Sequence, residues 1–426
     1  MVKKNAKKKT TGKDSIHTRA KVTKNEAKCP KPSAKSSPAK KQSKAVLKTS
    51  PGATPAAKKR EKASSKKRSA SKASKSEKLT ANTLRPERVE RRGKILPKQF
   101  LFDLAQTIKD AVVPAIIAGK GRDIVGTSPS GDATFELDRI AEKALLIFLK
   151  NARKPVAYYS EESGYTTFSS GQPTHLLVVD PIDGTRAARS GFEYCVVTVS
   201  STRVIERPTV ADLDNACIME ILGDRSFYAE YGKGARVYSN GHLKKTRLSQ
   251  NTDLESVSWS MTVPARPAEL IFPTAARFID LTSLKGGFFA CNSTSYSLTR
   301  LLTGQLDACV DFANRFYRDI PEIVEDQFLN AGRGVVLGVC PYDYAGALLI
   351  AEEAGCIVTD AYGKRFDEVL LLDSSVSSHR SVIASSNAAL HGKLLNYFNT
   401  RIEQLETLLK KRHANAKASA KASAKG

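Results

Sequence analysis

Leu177-Val-Val-Asp180-Pro-Ile-Asp183-Gly-Thr185 is the stretch on which both the fold and the chemistry of this chain turn. It continues an apolar run from His175 that reads as a buried strand. Two carboxylates three residues apart stand where that strand is expected to end, with Pro181 restricting the backbone between them. Gly184 permits a sharp turn, and a helix is expected to open there, with Thr185 in its first turn. A hard cation such as Mg²⁺ takes oxygen ligands at about 2.0–2.1 Å in near-octahedral geometry. The Asp-Pro-Ile-Asp turn offers two carboxylates and the Ile182 carbonyl to one such cluster. N–H groups at the start of the expected helix suit a phosphate held against the metal. Taken alone, the same residues describe equally well an Asx-type turn that caps a helix.

Three other segments supply candidate partners. Tyr158-Tyr-Ser-Glu161-Glu162-Ser-Gly164 follows a strand-like run, Lys154–Tyr159. Gly131-Asp-Ala-Thr134-Phe-Glu-Leu-Asp138-Arg-Ile-Ala-Glu142 places Asp138 and Glu142 four apart on an expected Ala/Leu-rich helix. Cys340-Pro-Tyr-Asp343-Tyr-Ala-Gly346, running on to Gly355, reads as an N-capping Asp343, an apolar helix, a glycine stop and a strand. Each has a plain structural account as well: a surface acidic pair, a helical salt bridge, a helix cap.

In this order and spacing the four segments resemble the inositol monophosphatase family of Mg²⁺-dependent, lithium-sensitive sugar-phosphate phosphatases, over roughly residues 97–400. The resemblance implies metal ligation by Glu161, Asp180, the Ile182 carbonyl, Asp183 and Asp343. It makes Glu161 rather than Glu162 the ligand of its pair. It also implies that Asp138 and Thr185, with Glu161, are the catalytic residues, the first two orienting and activating the attacking water. Asp183, Gly184 and Thr185 are then the residues that meet the substrate phosphate, the N–H groups of Gly184 and Thr185 holding its non-reacting oxygens.

The chain departs from the family pattern in places. Ser160 stands where a glycine usually precedes the acidic pair, and Tyr342 replaces the tryptophan common before the last metal-binding aspartate. Arg186-Ala-Ala-Arg-Ser-Gly191-Phe-Glu-Tyr follows Thr185 in place of the usual Asn-Phe type, and about twenty residues, Asn314–Gly334, are extra before Cys340. By resemblance the expected substrate is a small phosphorylated sugar or polyol, inositol monophosphate first, with fructose 1,6-bisphosphate close behind. Adenosine 3′,5′-bisphosphate ranks third, because the Lys-Gly-Phe-type stretch of enzymes acting on it is missing after Thr185.

The net charge of +25 is unevenly placed. Residues 1–80 hold 26 Lys/Arg against 4 Asp/Glu, residues 411–426 hold 5 against none, and the remainder holds 37 against 39. A nearly neutral body thus carries two basic tails. Lys, Ser, Ala and Pro cannot bury enough apolar surface to fold, so both tails are expected to be disordered. Lys7-Lys-Lys, Lys58-Lys-Arg60 and Lys66-Lys-Arg68 have the form of nucleic-acid or nuclear-import patches. A competing reading therefore makes the chain a nucleic-acid-binding protein with a phosphatase scaffold. The expected location is cytoplasmic, with nucleoid or nuclear association through the tail. The 7 cysteines form no CxxC pair and read as small buried residues of a reducing compartment, and the 6 histidines show no zinc spacing. No apolar run is long enough for a membrane span.

Periodicity places a helix over Gln99–Ala118, further helices are expected over Thr134–Leu149, Ser295–Leu302 and Tyr344–Ala354, and a weaker one over Thr274–Ile279. Strands are expected at Val156–Tyr159, Leu176–Val179, Tyr194–Ser200, Cys217–Leu222, Ser226–Tyr231 and Leu306–Phe312, with shorter ones at Trp259 and Phe288–Ala290. The organisation expected is a disordered tail over 1–93, a metal-binding α+β half over 94–245, an α/β half over 246–410, and a basic low-complexity tail over 411–426. Strands first and alternating strands and helices later imply a layered α/β fold. The family resemblance sharpens this to an αβαβα sandwich and implies a homodimer.

Overall fold

In a computed structural model, residues 93–167 and 171–424 are described. The basic stretch 1–92, including the expected N-terminal tail and its Lys-rich patches, lies outside the described residues. In chain order the elements are α1 (Lys98–Ile117), β1 (Ile124–Thr127), β2 (Ala133–Phe135), α2 (Glu136–Ala152), β3 (Val156–Ser160), β4 (Gly164–Thr167), β5 (His175–Asp183) and the single turn α3 (Thr185–Ala188). Then come β6 (Val196–Thr202), β7 (Asn215–Glu220), β8 (Arg225–Glu230), β9 (Ala235–Ser239), β10 (His242–Lys244), β11 (Ser258–Met261), α4 (Ala268–Thr282) and β12 (Gly287–Phe289). The chain closes with α5 (Thr294–Thr303), β13 (Ala308–Asp311), α6 (Ala313–Asp319), α7 (Pro321–Ala331), α8 (Pro341–Ala354), β14 (Ile357–Thr359), β15 (Val382–Ser385) and α9 (Ala388–Ser423).

Two sheets carry the architecture. The larger has strand order β10-β9-β8-β7-β6-β5-β3-β4 and is antiparallel except for the parallel pair β3 and β5. The smaller has order β12-β11-β13-β15-β14, parallel on the β12 side and antiparallel on the β14 side. The period-two alternation of strand side chains explains the near-continuous apolar runs. In β5, Leu177 and Val179 face a core shared with α1 and α2, while Leu176 and Val178 face a second core shared with α5 and α8. That second core reaches Cys309, Val358 and Ala384 on one face of the small sheet. The other face, with the chain's single tryptophan, Trp259, packs under α4, α6, α7 and α9. The layers therefore run α, β, α, β, α, as the family resemblance implied.

Several local expectations are corrected. Thr134 sits in β2, not in a helix, and α2 begins two residues later at Glu136. The weak helix over Thr274–Ile279 is the middle of the longer α4. Residues 314–334, read as extra relative to the family, lie in α6, α7 and their junctions, where Phe316, Ile320, Val324 and Phe328 are buried in the third core. The 411–426 stretch, expected to be disordered, continues α9 as exposed helix to Ser423. Buried contacts of α9 end at Glu406, but Ala and Lys are strong helix formers, and lengthening a nucleated helix avoids the nucleation cost. The six described cysteines are free and buried, and no described helix is long and apolar enough to cross a membrane.

Candidate active site

The Asp-Pro-Ile-Asp stretch is not a turn after the strand. β5 runs through it to Asp183 with a bulge: Asp180 pairs with Thr198 and Asp183 with Val196, three steps on one strand against two on the other. The extra residue re-aims side chains, the usual consequence of a bulge beside a functional site. Asp180 Oδ1 accepts the Ile182 N–H at 2.9 Å, and the Asp180 N–H donates to Thr198 Oγ1 at 3.2 Å. Gly184 then adopts φ +97°, and the expected helix starts one residue later and lasts one turn.

Gly184 is required on two counts. Its φ lies in the left-handed region, and a Cβ there would collide with the Tyr194 carbonyl oxygen and stand 3.1 Å from Ser293 Cβ. Gly184→Ala is expected to cost about 2–4 kcal/mol, combining left-handed strain with a backbone clash that cannot relax cheaply. Urea unfolding checks this; a loss below about 0.5 kcal/mol would show that the turn adapts.

Three helix starts aim at one acidic cluster. Asp138 is the third residue of α2, and its Oδ2 accepts the Phe135 N–H at 2.8 Å. Asp343 is likewise the third residue of α8, not its N-cap, and its Oδ2 accepts the Cys340 N–H at 2.6 Å. Pro341, with fixed φ and no N–H, takes the first helical position and moves the cap to Cys340. Asp183 comes from β5, but its Oδ2 accepts the Ser295 N–H in the first turn of α5 at 2.6 Å. Ser295 Oγ donates in turn to the Asp343 carbonyl, so α5 ties the two aspartates together. The positive ends of these helices partly offset the mutual repulsion of the carboxylates.

Asp180, Asp183 and Asp343 each present a carboxylate oxygen within 4.8 Å of the others'. Among the described residues none of them is ion-paired with a basic side chain; Arg266 attracts Asp343 only from a distance. Burial first, and then neighbouring acids, push Asp180, Asp343 and Glu161 well above the ordinary carboxylate range. Asp183 is raised by burial to about 6, against hydrogen bonds that lower it. A largely buried, oxygen-only set with no ion-paired basic partner among the described residues fits a hard divalent cation. Glu161 lines the same cleft and is the strongest charge acting on Asp180, though its oxygens lie outside the 4.8 Å group. The Ile182 carbonyl accepts Thr185 Oγ1 at 3.0 Å, and the same hydroxyl lies 2.9 Å from Asp138 Oδ1. Burial raises Asp138 to about 6.

Glu142 is neither exposed nor salt-bridged. It is buried and accepts from Tyr158, Ser160 and Ser163 behind the Glu161–Glu162 loop. Ser160, the departure from the family glycine, thereby gains a partner. Asp132, Glu162, Arg186, Arg266 and His379, none of them among the expected site residues, also line the cleft. Arg186 pairs with Asp132 at 2.7 Å, Arg266 with buried Asp311 at 2.7 Å, and Glu162 accepts Thr134 Oγ1 at 2.6 Å. Glu162 is raised by burial to about 7. Burial and the nearby Arg266 lower His379 to about 4, so its ring is neutral. Arg186 follows the Asp-Gly-Thr directly and was open to discovery; Arg266 and His379 sit in irregular segments with no local signal.

A layered α/β body whose cleft converges three aspartates for a cation, beside a threonine–aspartate pair, defines a metal-dependent phosphatase. The chain belongs to the inositol monophosphatase family, whose model matches residues 98–403, and is a metal-dependent phosphomonoesterase. It is 26% identical over 314 residues to a bifunctional NADP phosphatase/NAD kinase of Methanococcus maripaludis, covering 71% of this chain but only 49% of that one. It is 26% identical to a fructose-1,6-bisphosphatase/inositol-1-monophosphatase of Thermococcus kodakarensis, covering 70% of this chain and 95% of that one. The fold matches that of the extragenic suppressor protein of Bartonella henselae with a TM-score of 0.52 at 19% identity, covering 70% of this chain and 97% of that one.

Proposed function

We propose that the chain hydrolyses a small phosphorylated sugar or polyol, inositol monophosphate first, with Mg²⁺ as the cation. The observation that carries this reading is the convergence of Asp180, Asp183 and Asp343 within 4.8 Å, none of them ion-paired with a basic side chain among the described residues. Those three, with Glu161 and the Ile182 carbonyl, would hold the metal, which when bound polarises the phosphoryl oxygens and acidifies a water. Thr185 has one hydroxyl proton and two acceptors in reach, so with that proton on Asp138 its lone pair is free to accept from the attacking water. Asp138, at about 6, is mostly ionised near neutral pH and can take the proton that Thr185 relays. No backbone carbonyl among the described residues accepts from the N–H of Gly184 or Thr185, which leaves both for the non-reacting phosphate oxygens. No serine, cysteine or histidine nucleophile is needed, because positioning and electrostatics suffice for phosphoryl transfer.

Fructose 1,6-bisphosphate is the second reading. Arg186 and Arg266 on the cleft wall favour it, as a second phosphate needs a cationic partner. Phosphate release from a panel of inositol monophosphate, fructose 1,6-bisphosphate, adenosine 3′,5′-bisphosphate and NADP, with Mg²⁺, is expected to favour the first by kcat/KM. Preference for either nucleotide by about tenfold or more would overturn the sugar-phosphate reading. The same assay without residues 1–90, beside a gel shift with duplex DNA at two salt concentrations, separates hydrolysis from binding by the basic tails. Lys–phosphate contacts release counterions, so tail binding should weaken steeply with salt.

A further inference from the structure

Next to the cleft-lining His379, two guanidiniums meet with no ion-pair partner among the described residues. Arg318, on α6, donates through Nη2 to the carbonyls of Ser377 at 2.9 Å and His379 at 3.2 Å. Arg380 donates through Nη1 to the same two carbonyls at 2.8 and 2.9 Å. Sharing the Ser377 oxygen sets these nitrogens within about 6 Å of each other, where like charges repel appreciably. Neither arginine forms an ion pair among the described residues. Asp360 and Asp373 attract Arg380 only from beyond ion-pair distance. Arg380 is half-buried, and burial first, then Arg318, pushes it below the usual guanidinium range.

The remaining donors of this pair are unused. Nε and Nη1 of Arg318, and Nε and Nη2 of Arg380, donate to no protein acceptor among the described residues. A second observation is independent of the arginines. Tyr344 on α8 is fully buried, its hydroxyl has no hydrogen-bond partner, and it feels the charge of both Arg380 and Arg318. A buried hydroxyl without a partner costs on the order of 1–3 kcal/mol, a penalty that a bound acceptor relieves. Other unpaired surface cations need no ligand, because water serves them; a dry tyrosine hydroxyl under the charge of two guanidiniums that share two carbonyl acceptors is different.

We propose that Arg318, Arg380 and Tyr344 form a second anion site, for a phosphate-class oxyanion, alongside the catalytic cleft. Two guanidinium forks match the oxygens of such an ion, and the hydroxyl supplies a further donor. The segment is coupled to the metal-binding helix: Arg380 bridges to Val339, and the His379 ring packs against Gly338, just before Cys340 and α8. The oxyanion has two possible sources, a second phosphate of the substrate or a separate free anion.

Calorimetric titration of the full chain with inorganic phosphate, in a chelator so that the acidic cleft repels it, tests the site. Wild type should show one saturable event above the weak background of the basic tails, which every variant shares. R318Q and R380Q should each weaken it about tenfold, the loss expected for one charge-assisted contact. Tyr344→Phe should weaken it several-fold while keeping the core volume, and decides the matter if the glutamine variants unfold. Equal saturable binding in wild type and Tyr344→Phe, or none in wild type beyond an R318Q/R380Q double variant, overturns the site. Kinetics then separate the sources. If the second phosphate of a substrate occupies the site, R318Q raises KM for fructose 1,6-bisphosphate but not for inositol monophosphate. If a free anion does, both substrates respond alike, and added sulfate changes wild type but not R318Q.

Discussion

Asp180→Asn and Asp343→Asn are each expected to abolish divalent-metal-dependent phosphate release, by about 10³-fold or more, while the protein stays folded. A cation at such a site supplies several kcal/mol of charge stabilisation to the transition state, and each aspartate contributes a formal charge to holding it. The fold should survive because asparagine keeps the oxygen that each backbone contact needs: Asp180 Oδ1 for the Ile182 N–H and Asp343 Oδ2 for the Cys340 N–H. Stability in chelator should rise rather than fall. These carboxyls have folded pKa values above their ordinary ones, so the folded state binds the extra protons. Their contribution to stability is therefore full in acid and is lost as pH rises through about 6 for Asp183 and through the raised values of the other two. Without metal, the wild-type melting temperature should drop between pH 5 and pH 8, and each asparagine variant should flatten that drop. Activity within a few-fold of wild type in either variant would remove that residue from the metal site.

Thr185→Ala is expected to lower kcat by about 10² while changing KM less than threefold, since water orientation matters chiefly in the transition state. The Thr185 hydroxyl is held between Asp138 Oδ1 and the Ile182 carbonyl, so it already points where a relay requires. Thr185→Ser, which keeps the hydroxyl, should recover most of the loss. A rise in KM with kcat intact would assign the hydroxyl to substrate binding instead. Metal affinity, read by Mg²⁺ titration of activity, should stay near wild type in Thr185→Ala and separates this effect from damage to the aspartate cluster.

What a chain can reveal locally, this one does. Strand β5 was legible because burial on both faces demands an unbroken apolar run, and the two aspartates interrupt that run where no core packing would place them. Helix α1 was legible from its 3.6-residue periodicity, and α8, buried nearly all round, from an apolar run closed by Gly355. The charge split between tails and body is a property of composition alone, and it separated a folded unit from its basic extensions. Composition misled at the C-terminus, where residues that cannot build a core still extend a helix that already exists.

Only tertiary structure could decide the rest. A bulge and a turn look alike in sequence, because the difference lies in whether β6 pairs beyond Asp180. That Asp343 lies inside its helix rather than at the cap, and that Asp138 and Asp343 each spend one oxygen on a preceding N–H, depends on caps that neither residue type announces. Arg266, His379 and the Arg318–Arg380 pair come from segments far apart in sequence, and only the packing of α6 and α8 against the small sheet brings them to the cleft and its margin. Residue type and pattern determined that carboxylates stand at strand and helix ends and that the fold is a layered α/β one, while the order of the layers came from the family resemblance. The chemistry of the cleft wall was decided by long-range contacts, which no local pattern encodes.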